Sequence, residues 1–313
     1  MPLNLPKPVR AKIASQGKAG QRWLEQLPQI VAELAERWQL DVGQPLSGGS
    51  EGLVLPAQQA DGTLAVLKIG IPNVSDLQKE ARVFQLAAGR GYPDLLAQDE
   101  AHNAILLERL GQPLAESDLS IDAQITHICQ TLKAAWIPLE ESHGFPTGAE
   151  KADWLATFIA TAWQSLGNPC LPETRNQALT FAEERRAAHD PANCVLVHGD
   201  AHAHNTLKTL DGGGSDYKFV DPDGLFAEPA YDLAIPMREW SEELLTGDAM
   251  QLGAERCRLL SELTGIEKRP IYQWGFIERV STGLYLLQLG LTDLGQASLA
   301  VADLWATSKM DWE

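Results

Sequence analysis

Four side chains between Cys194 and Leu225, those of His198, Asp200, Asn205 and Asp221, have types and spacing that suit one kind of chemistry. Moving a phosphoryl group asks little covalent work of a protein. It requires a divalent cation held on the polyphosphate and a base beside the attacking hydroxyl. Magnesium is a hard ion that takes oxygen ligands, usually one or two side chains plus phosphates and water. Asp200 is the candidate base, and Asn205 and Asp221 are the candidate metal ligands. The run from His198 through Asp200 to Asn205 fits the catalytic-loop pattern H-x-D-x-x-x-x-N, with Gly199 in its second position.

These residues need elements that bring them together. Val195-Leu196-Val197 is β-branched and apolar and reads as a buried strand. The polar loop 198–205 follows. Thr206–Leu210 and Tyr217–Val220 read as two strands of a hairpin around Gly212-Gly213-Gly214. The second strand ends on Asp221-Pro222-Asp223-Gly224, so two carboxylate-bearing loops lie at the ends of neighbouring strands.

Upstream, Asp41 to Leu110 reads as β-β-β-α-β-β. The expected strands are Val42–Leu46, Leu53–Gln58, Thr63–Lys68, Leu95–Gln98 and Ala104–Glu108; the helix is Ser75–Ala88, with Ser75 as its N-cap. The third strand ends on Lys68 in a pattern close to V-A-I-K, and the helix supplies Glu80. A lysine so placed reaches the α- and β-phosphates while a glutamate holds it. Alone, a strand lysine is usually just solvated; its position ahead of the 198–205 loop gives the pair its functional reading. The turn Ser47–Gly52 lies between the first two strands, and Ser50 with nearby backbone N–H groups is placed to cover the β- and γ-phosphates.

Residues 1–20 read as a strap and a short helix, and Gln21–Leu40 as an amphipathic helix carrying Trp23, Leu27, Leu34 and Trp38 on one face. Beyond 120 the pattern is helical: Ile121–Trp136, Lys151–Leu166, Glu173–His189, Tyr231–Leu245, Ala249–Leu263, Pro270–Leu289 and Ser298–Trp305. The expected organisation is a strap and helix at 1–40, a small lobe at 41–110 and a helical lobe at 111–313. At 313 residues and 44% hydrophobic composition the chain buries a large core. Its net charge of −17 excludes a nucleic-acid partner and suits a cationic small molecule, although many proteins are acidic without such a partner. Cys129, Cys170, Cys194 and Cys257 form no CxxC and read as free thiols. There is no signal-peptide core and no apolar run of membrane-spanning length, so the expectation is a cytoplasmic protein without a membrane partner.

Taken with Val220-Asp221-Pro222 and Tyr231-Asp232-Leu233, the His198–Asn205 loop resembles that of the aminoglycoside phosphotransferase family, most of all its streptomycin 6-kinase and hydroxyurea phosphotransferase branch. The departures are Ala201 and Thr206, where larger aliphatics are usual, and the added carboxylate of Asp223. The resemblance implies an α+β, two-lobed, protein-kinase-like fold with a small antiparallel sheet and a mostly helical second lobe. It implies ATP and Mg²⁺ as cofactors, adenine bound to the backbone at Glu108 and Leu110, and a small-molecule acceptor hydroxyl. Asp223 is the first candidate for acceptor amino or guanidino groups; Glu239, Glu242 and Glu243 are weaker ones. Asp232 reads as a buried anchor for the loop, and His198 as a brace. Asp221 is followed almost at once by a helix, which leaves no room for the long activation segment of a protein kinase.

Two other chemistries compete. Gly48-Gly49-Ser50-Glu51-Gly52 fits the nucleophile elbow G-x-S-x-G, but a strand-like run follows where that motif needs a helix. His198, Asp200, His202 and His204 could instead form the metal centre of a hydrolase, which stands as the alternative reading.

Overall fold

The computed structural model describes residues 4–46, 52–210 and 216–307. Ser50 and the turn at Gly212-Gly213-Gly214 lie outside the described residues. The chain divides into two compact units, one of Met1–Gly111 with Lys208–Gly214, the other of Gln112–Leu207 with Ser215–Glu313.

The first unit begins with helices α1 (Lys7–Ser15) and α2 (Gly17–Trp38). A five-stranded antiparallel sheet follows, built from β1 (Leu40–Val42), β2 (Gly52–Gln59), β3 (Leu64–Gly70), β4 (Leu95–Asp99) and β5 (Ala104–Glu108) in the order β1-β2-β3-β5-β4. Helix α3 (Leu77–Ala87) crosses between β3 and β4. Side chains alternate along a strand. Leu67 and Ile69 therefore join Leu53, Leu55 and the buried face of α2 in one core, while Lys68 points to the other side.

Two expectations change in this unit. The first strand lies at Leu40–Val42 rather than Val42–Leu46. Pairing breaks after Gly43, whose N–H donates to Pro56 O, and resumes only where Leu46 N–H donates to Val54 O. Gln44 and Pro45 form the interruption, Pro45 having no N–H to give. The cap of α3 is Asp76, not Ser75: its Oδ1 accepts from Gln78 and Lys79 N–H at 3.1 and 3.2 Å, while Ser75 O accepts from Asn103 Nδ2. Asp fills that role as readily as Ser.

The second unit holds α4 (Ile121–Ala135), β6 (Ile137–Pro138), α5 (Gly148–Ser165), α6 (Pro172–Ala187), β7 (Val195–Val197), the paired strands β8 (Thr206–Lys208, of which Lys208 falls in the first unit) and β9 (Tyr217–Phe219), and β10 (Leu225–Ala227). Helices α7 (Ala230–Arg238), α8 (Ser241–Thr246), α9 (Ala249–Thr264), α10 (Lys268–Gln288) and α11 (Thr292–Thr307) complete it. Strands β6 and β10 flank β7 on either side, a small sheet that the apolar pattern of single short segments did not announce. Helix α10 is buried on nearly all sides from Ile271 to Leu284, with Gln273, Glu278, Arg279 and Ser281 among its buried side chains, and packs against α5, α6, α7, α9 and α11, as a central helix should. A Cβ built on Gly275 would lie 2.5 Å from Met237 Cβ, so α7 and α10 approach closely just before Arg238.

The segment expected as one helix over Tyr231–Leu245 is two. It breaks at Glu239-Trp240, with Trp240 in the left-handed region at φ 53°. All four cysteines are free and buried. Burial pushes their thiols up, to about 12 in Cys129, Cys170 and Cys257 and to about 11 in Cys194. Thiolate, not thiol, is the nucleophile. An aromatic disulfide reagent is expected to leave the folded protein untouched and to titrate four thiols after denaturation; rapid reaction of any one in the folded chain contradicts this burial.

Candidate functional site

In the first unit, Lys68 and Glu80 meet. Lys68 Nζ donates to Glu80 Oε2 at 2.7 Å and Oε1 at 2.9 Å, and the two side chains are 12% and 8% exposed. The pair arises from register: Lys68 sits opposite Val54 and Ile105 on the sheet face away from α2, and α3 presents Glu80 in its first turn. Glu108 N–H donates to Asp94 O at 2.9 Å, and Leu110 is buried with its carbonyl accepting from Arg109 Nε.

In the second unit the loop 198–205 is stitched from within. His198 is fully buried; its Nδ1 accepts from Asp200 N–H at 3.0 Å and its Nε2–H donates to Val220 O at 2.9 Å. Burial pushes its pKa down, so the ring is neutral and acts as a brace. Asn205 Nδ2 donates to Asp200 O at 3.1 Å, and Val220 N–H donates to Asn205 O at 2.9 Å. Asp200 and Asn205 are thereby joined, and Asp221 is set one residue beyond Asn205's partner. Asp221 itself adopts φ 57°, a conformation Asp tolerates better than most residues. Gly199, at φ 94°, could not carry a side chain, since a Cβ there would lie 2.7 Å from Asp223 Cβ. Asp221 and Asp223 are both exposed.

Asp232 anchors this loop. Fully buried, it accepts from His198 N–H at 2.9 Å, Gly199 N–H at 2.7 Å and Trp136 Nε1–H at 2.9 Å. Asp232→Ala is expected to destabilise the protein by about 3–5 kcal/mol, because three buried donors lose their acceptor at roughly 1–3 kcal/mol each. Urea unfolding measures it, and a loss below about 1 kcal/mol would contradict the anchor.

The carboxylate of Asp200 is held at both oxygens. Oδ1 accepts from Arg238 Nη2, and Oδ2 from His202 Nε2 at 3.3 Å. Burial alone would raise its pKa; the Arg238 guanidinium and the His202 ring outweigh it and keep the group ionised, well below the usual carboxylate range. His202 Nδ1 accepts from Asn205 N–H, which places the proton on Nε2. Arg238 was not legible as a site residue, since one charged residue closing the apolar run Leu233–Met237 is an ordinary helix end. The same engagement leaves the histidine-centred hydrolase without support: His202 is spent on Asp200 and Asn205, and His204 is exposed. Among the described residues, no group of three or more His, Cys, Asp or Glu is placed to hold a metal ion.

A lysine–glutamate pair on a small antiparallel sheet, and an H-x-D-x-x-x-x-N loop beside a carboxylate hairpin in a helical unit, define a class: a phosphotransferase of protein-kinase-like fold. Within that class the chain belongs to the aminoglycoside/hydroxyurea antibiotic resistance kinase family, whose sequence profile matches residues 37–290. It is 26% identical over 305 residues to a streptomycin 6-kinase of Streptomyces glaucescens, with 96% of each chain covered. It is 28% identical over 306 residues to a hydroxyurea phosphotransferase of Kitasatospora aureofaciens, covering 94% of this chain and 83% of that one. An aminoglycoside phosphotransferase from Streptomyces rimosus, solved with ADP and streptomycin, superposes with a TM-score of 0.54 at 18% identity over 82% of this chain and 98% of its own. That likeness is one of fold. Among the described residues, no helix is long and apolar enough to cross a membrane.

Proposed function

We propose that the protein transfers the γ-phosphoryl group of MgATP to a hydroxyl of a small acceptor that is cationic or polyhydroxylated, in the manner of an aminoglycoside. The observation that carries this reading is the stitched loop, in which Asp200, Asn205 and Asp221 are tied through the Asn205 amide and the Asn205–Val220 backbone bond. The donor set fits magnesium. Asn205 spends its amide nitrogen on Asp200 O and so offers its amide oxygen, and Asp221 offers a carboxylate, both hard ligands. When bound, the ion neutralises charge on the β- and γ-phosphates.

Lys68, oriented by Glu80, serves the α- and β-phosphates; Ser50 serves the outer phosphates; the backbone at Glu108 and Leu110 serves adenine. Asp200 accepts the hydrogen bond of the acceptor hydroxyl and aims its oxygen at phosphorus. The bond from γ-phosphorus to the β,γ-bridging oxygen breaks, and a bond to the acceptor oxygen forms. ADP leaves with the electron pair, and the hydroxyl proton passes through the Asp200 carboxylate to solvent. Asp223, exposed and packed beside Gly199 of the loop, is the carboxylate assigned to an acceptor cation, and the net charge of −17 favours the approach of such a molecule. The free buried thiols suit a reducing compartment such as the cytoplasm.

The test is ADP release from MgATP in the presence of streptomycin, other aminoglycosides, hydroxyurea, sugars and amino alcohols. Acceleration by one class of hydroxylated compound supports the reading. Zinc-dependent hydrolysis without nucleotide, or failure to bind MgATP, would overturn it.

A further inference from the structure

Arg238 closes α7 with a side chain only 14% exposed, and it meets three carboxylates. Its Nη2 donates to Asp200 Oδ1, Nη1 to Glu278 Oε2 at 3.2 Å and Nε to Glu239 Oε1 at 3.4 Å. Glu278, itself 5% exposed, is fixed in turn by the Tyr231 hydroxyl, which donates to its Oε1 at 2.6 Å. A planar guanidinium with donors on all three nitrogens can satisfy this arrangement. A lysine, a single point of charge, cannot.

The turn that delivers Arg238 is held with unusual firmness. Arg279 is fully buried; its Nη2 donates to Met237 O at 2.7 Å and to Glu239 O at 3.1 Å, and its Nη1 to Ser241 Oγ at 2.8 Å. Arg256 adds a bond from Nη1 to Glu239 O at 3.0 Å. Their guanidinium groups lie over the rings of Trp305 and Trp240, at 4.8 and 5.2 Å from the ring centres. Arg256 is also ion-paired with Glu243, and burying two more guanidinium groups against this turn is costly. What that expense secures is the left-handed turn at Trp240 and, with it, the place of Arg238.

We propose that Arg238 is a positioning residue for phosphoryl transfer, holding the Asp200 carboxylate in the plane that meets the acceptor hydroxyl. The inference rests on Asp200 being the base. A carboxylate turns freely about its last bond unless its oxygens are tied. Arg238 ties one and His202 the other, and each oxygen keeps lone-pair capacity for the acceptor O–H. Loss of Arg238 frees the carboxylate to swing. A displacement of about 1 Å at a reacting group costs on the order of 10² in rate.

The experiment compares full-length wild type, Arg238→Lys, Arg238→Gln, Asp200→Asn and the Asp200→Asn/Arg238→Gln double variant. Affinity for MgATP is measured by calorimetry. Turnover is measured as ADP release with streptomycin and with water as the sole acceptor. Arg238→Gln is expected to lower kcat by about 10² while the KM for MgATP changes by less than about twofold, with Arg238→Lys between it and wild type. In the Asp200→Asn background, Arg238→Gln is expected to add little further loss, because the two act through one group. A crystal structure of Arg238→Gln is expected to show the Asp200 carboxylate rotated on an unchanged loop. An unmoved carboxylate, near-normal turnover in Arg238→Gln, or loss of MgATP binding together with turnover would overturn the proposal. So would failure of both Arg238 variants to fold, which would mark the residue as structural. Wild-type turnover in Asp200→Asn would instead overturn the reading of Asp200 as base.

Discussion

Asp200→Asn is expected to lower kcat by about 10²–10⁴, the contribution of one well-placed general base, the role proposed for Asp200, while the affinity for MgATP stays close to wild type. Asparagine is the informative replacement. It keeps the volume and an oxygen for Arg238, so the loop 198–205 retains its internal bonds through His198, Asn205 and Asp232. It removes the charge and the second acceptor oxygen, and with them the capacity to orient and relieve the hydroxyl. Stopped-flow or coupled ADP release gives kcat, and nucleotide titration gives affinity. A variant that turns over like wild type would show that the hydroxyl finds its direction without this carboxylate.

Asp221→Asn acts at a different stage. Asparagine tolerates the left-handed backbone that Asp221 adopts at φ 57°, so the fold is expected to survive. The anionic ligand that the proposed function assigns to this position is lost, however. Even partners of metal ligands are worth about 10–100-fold in metal affinity, and a ligand itself is expected to cost at least about 10². Nucleotide binding titrated against magnesium should therefore lose its metal dependence in this variant, with residual binding like that of nucleotide in chelator. An unchanged magnesium dependence would remove Asp221 from the metal site. The two substitutions should thus separate, one sparing binding and the other abolishing its metal-dependent part.

The legible parts of this molecule are those whose partners are close in sequence or bound to a period. The loop 198–205 and its hairpin lie in one short stretch, so their spacing carried the chemistry. Lys68 and Glu80 were legible because strand alternation and the first turn of a helix set their positions, and their order ahead of the 198–205 loop gave the pair its functional reading. The role of Asp232 as an anchor was legible through the family resemblance of Tyr231-Asp232-Leu233, with which the plain reading of a buried carboxylate agreed.

Other features depend on distant partners. Arg238 takes its meaning from Glu278, forty positions further on, and from two buried arginines on α9 and α10. The break at Trp240 is imposed by those arginines, because the apolar spacing of 231–245 continues through it and favours a single helix. The choice of Asp76 over Ser75 as cap turned on Asn103, which claims Ser75 O and, through its Oδ1, accepts from Leu77 N–H. Such decisions belong to tertiary structure, and composition does not hold them.

The carboxylate of Asp232 also bears on how tightly nucleotide can be held. Because two successive amides of the loop end on a group sealed from solvent, the loop takes its shape when the domain folds and keeps it whether or not a ligand is present. Disordered segments that must organise around an incoming molecule weaken the complex by the entropy they surrender. A loop shaped in advance carries no such penalty, so under the proposed function its contacts with MgATP would count in full toward affinity.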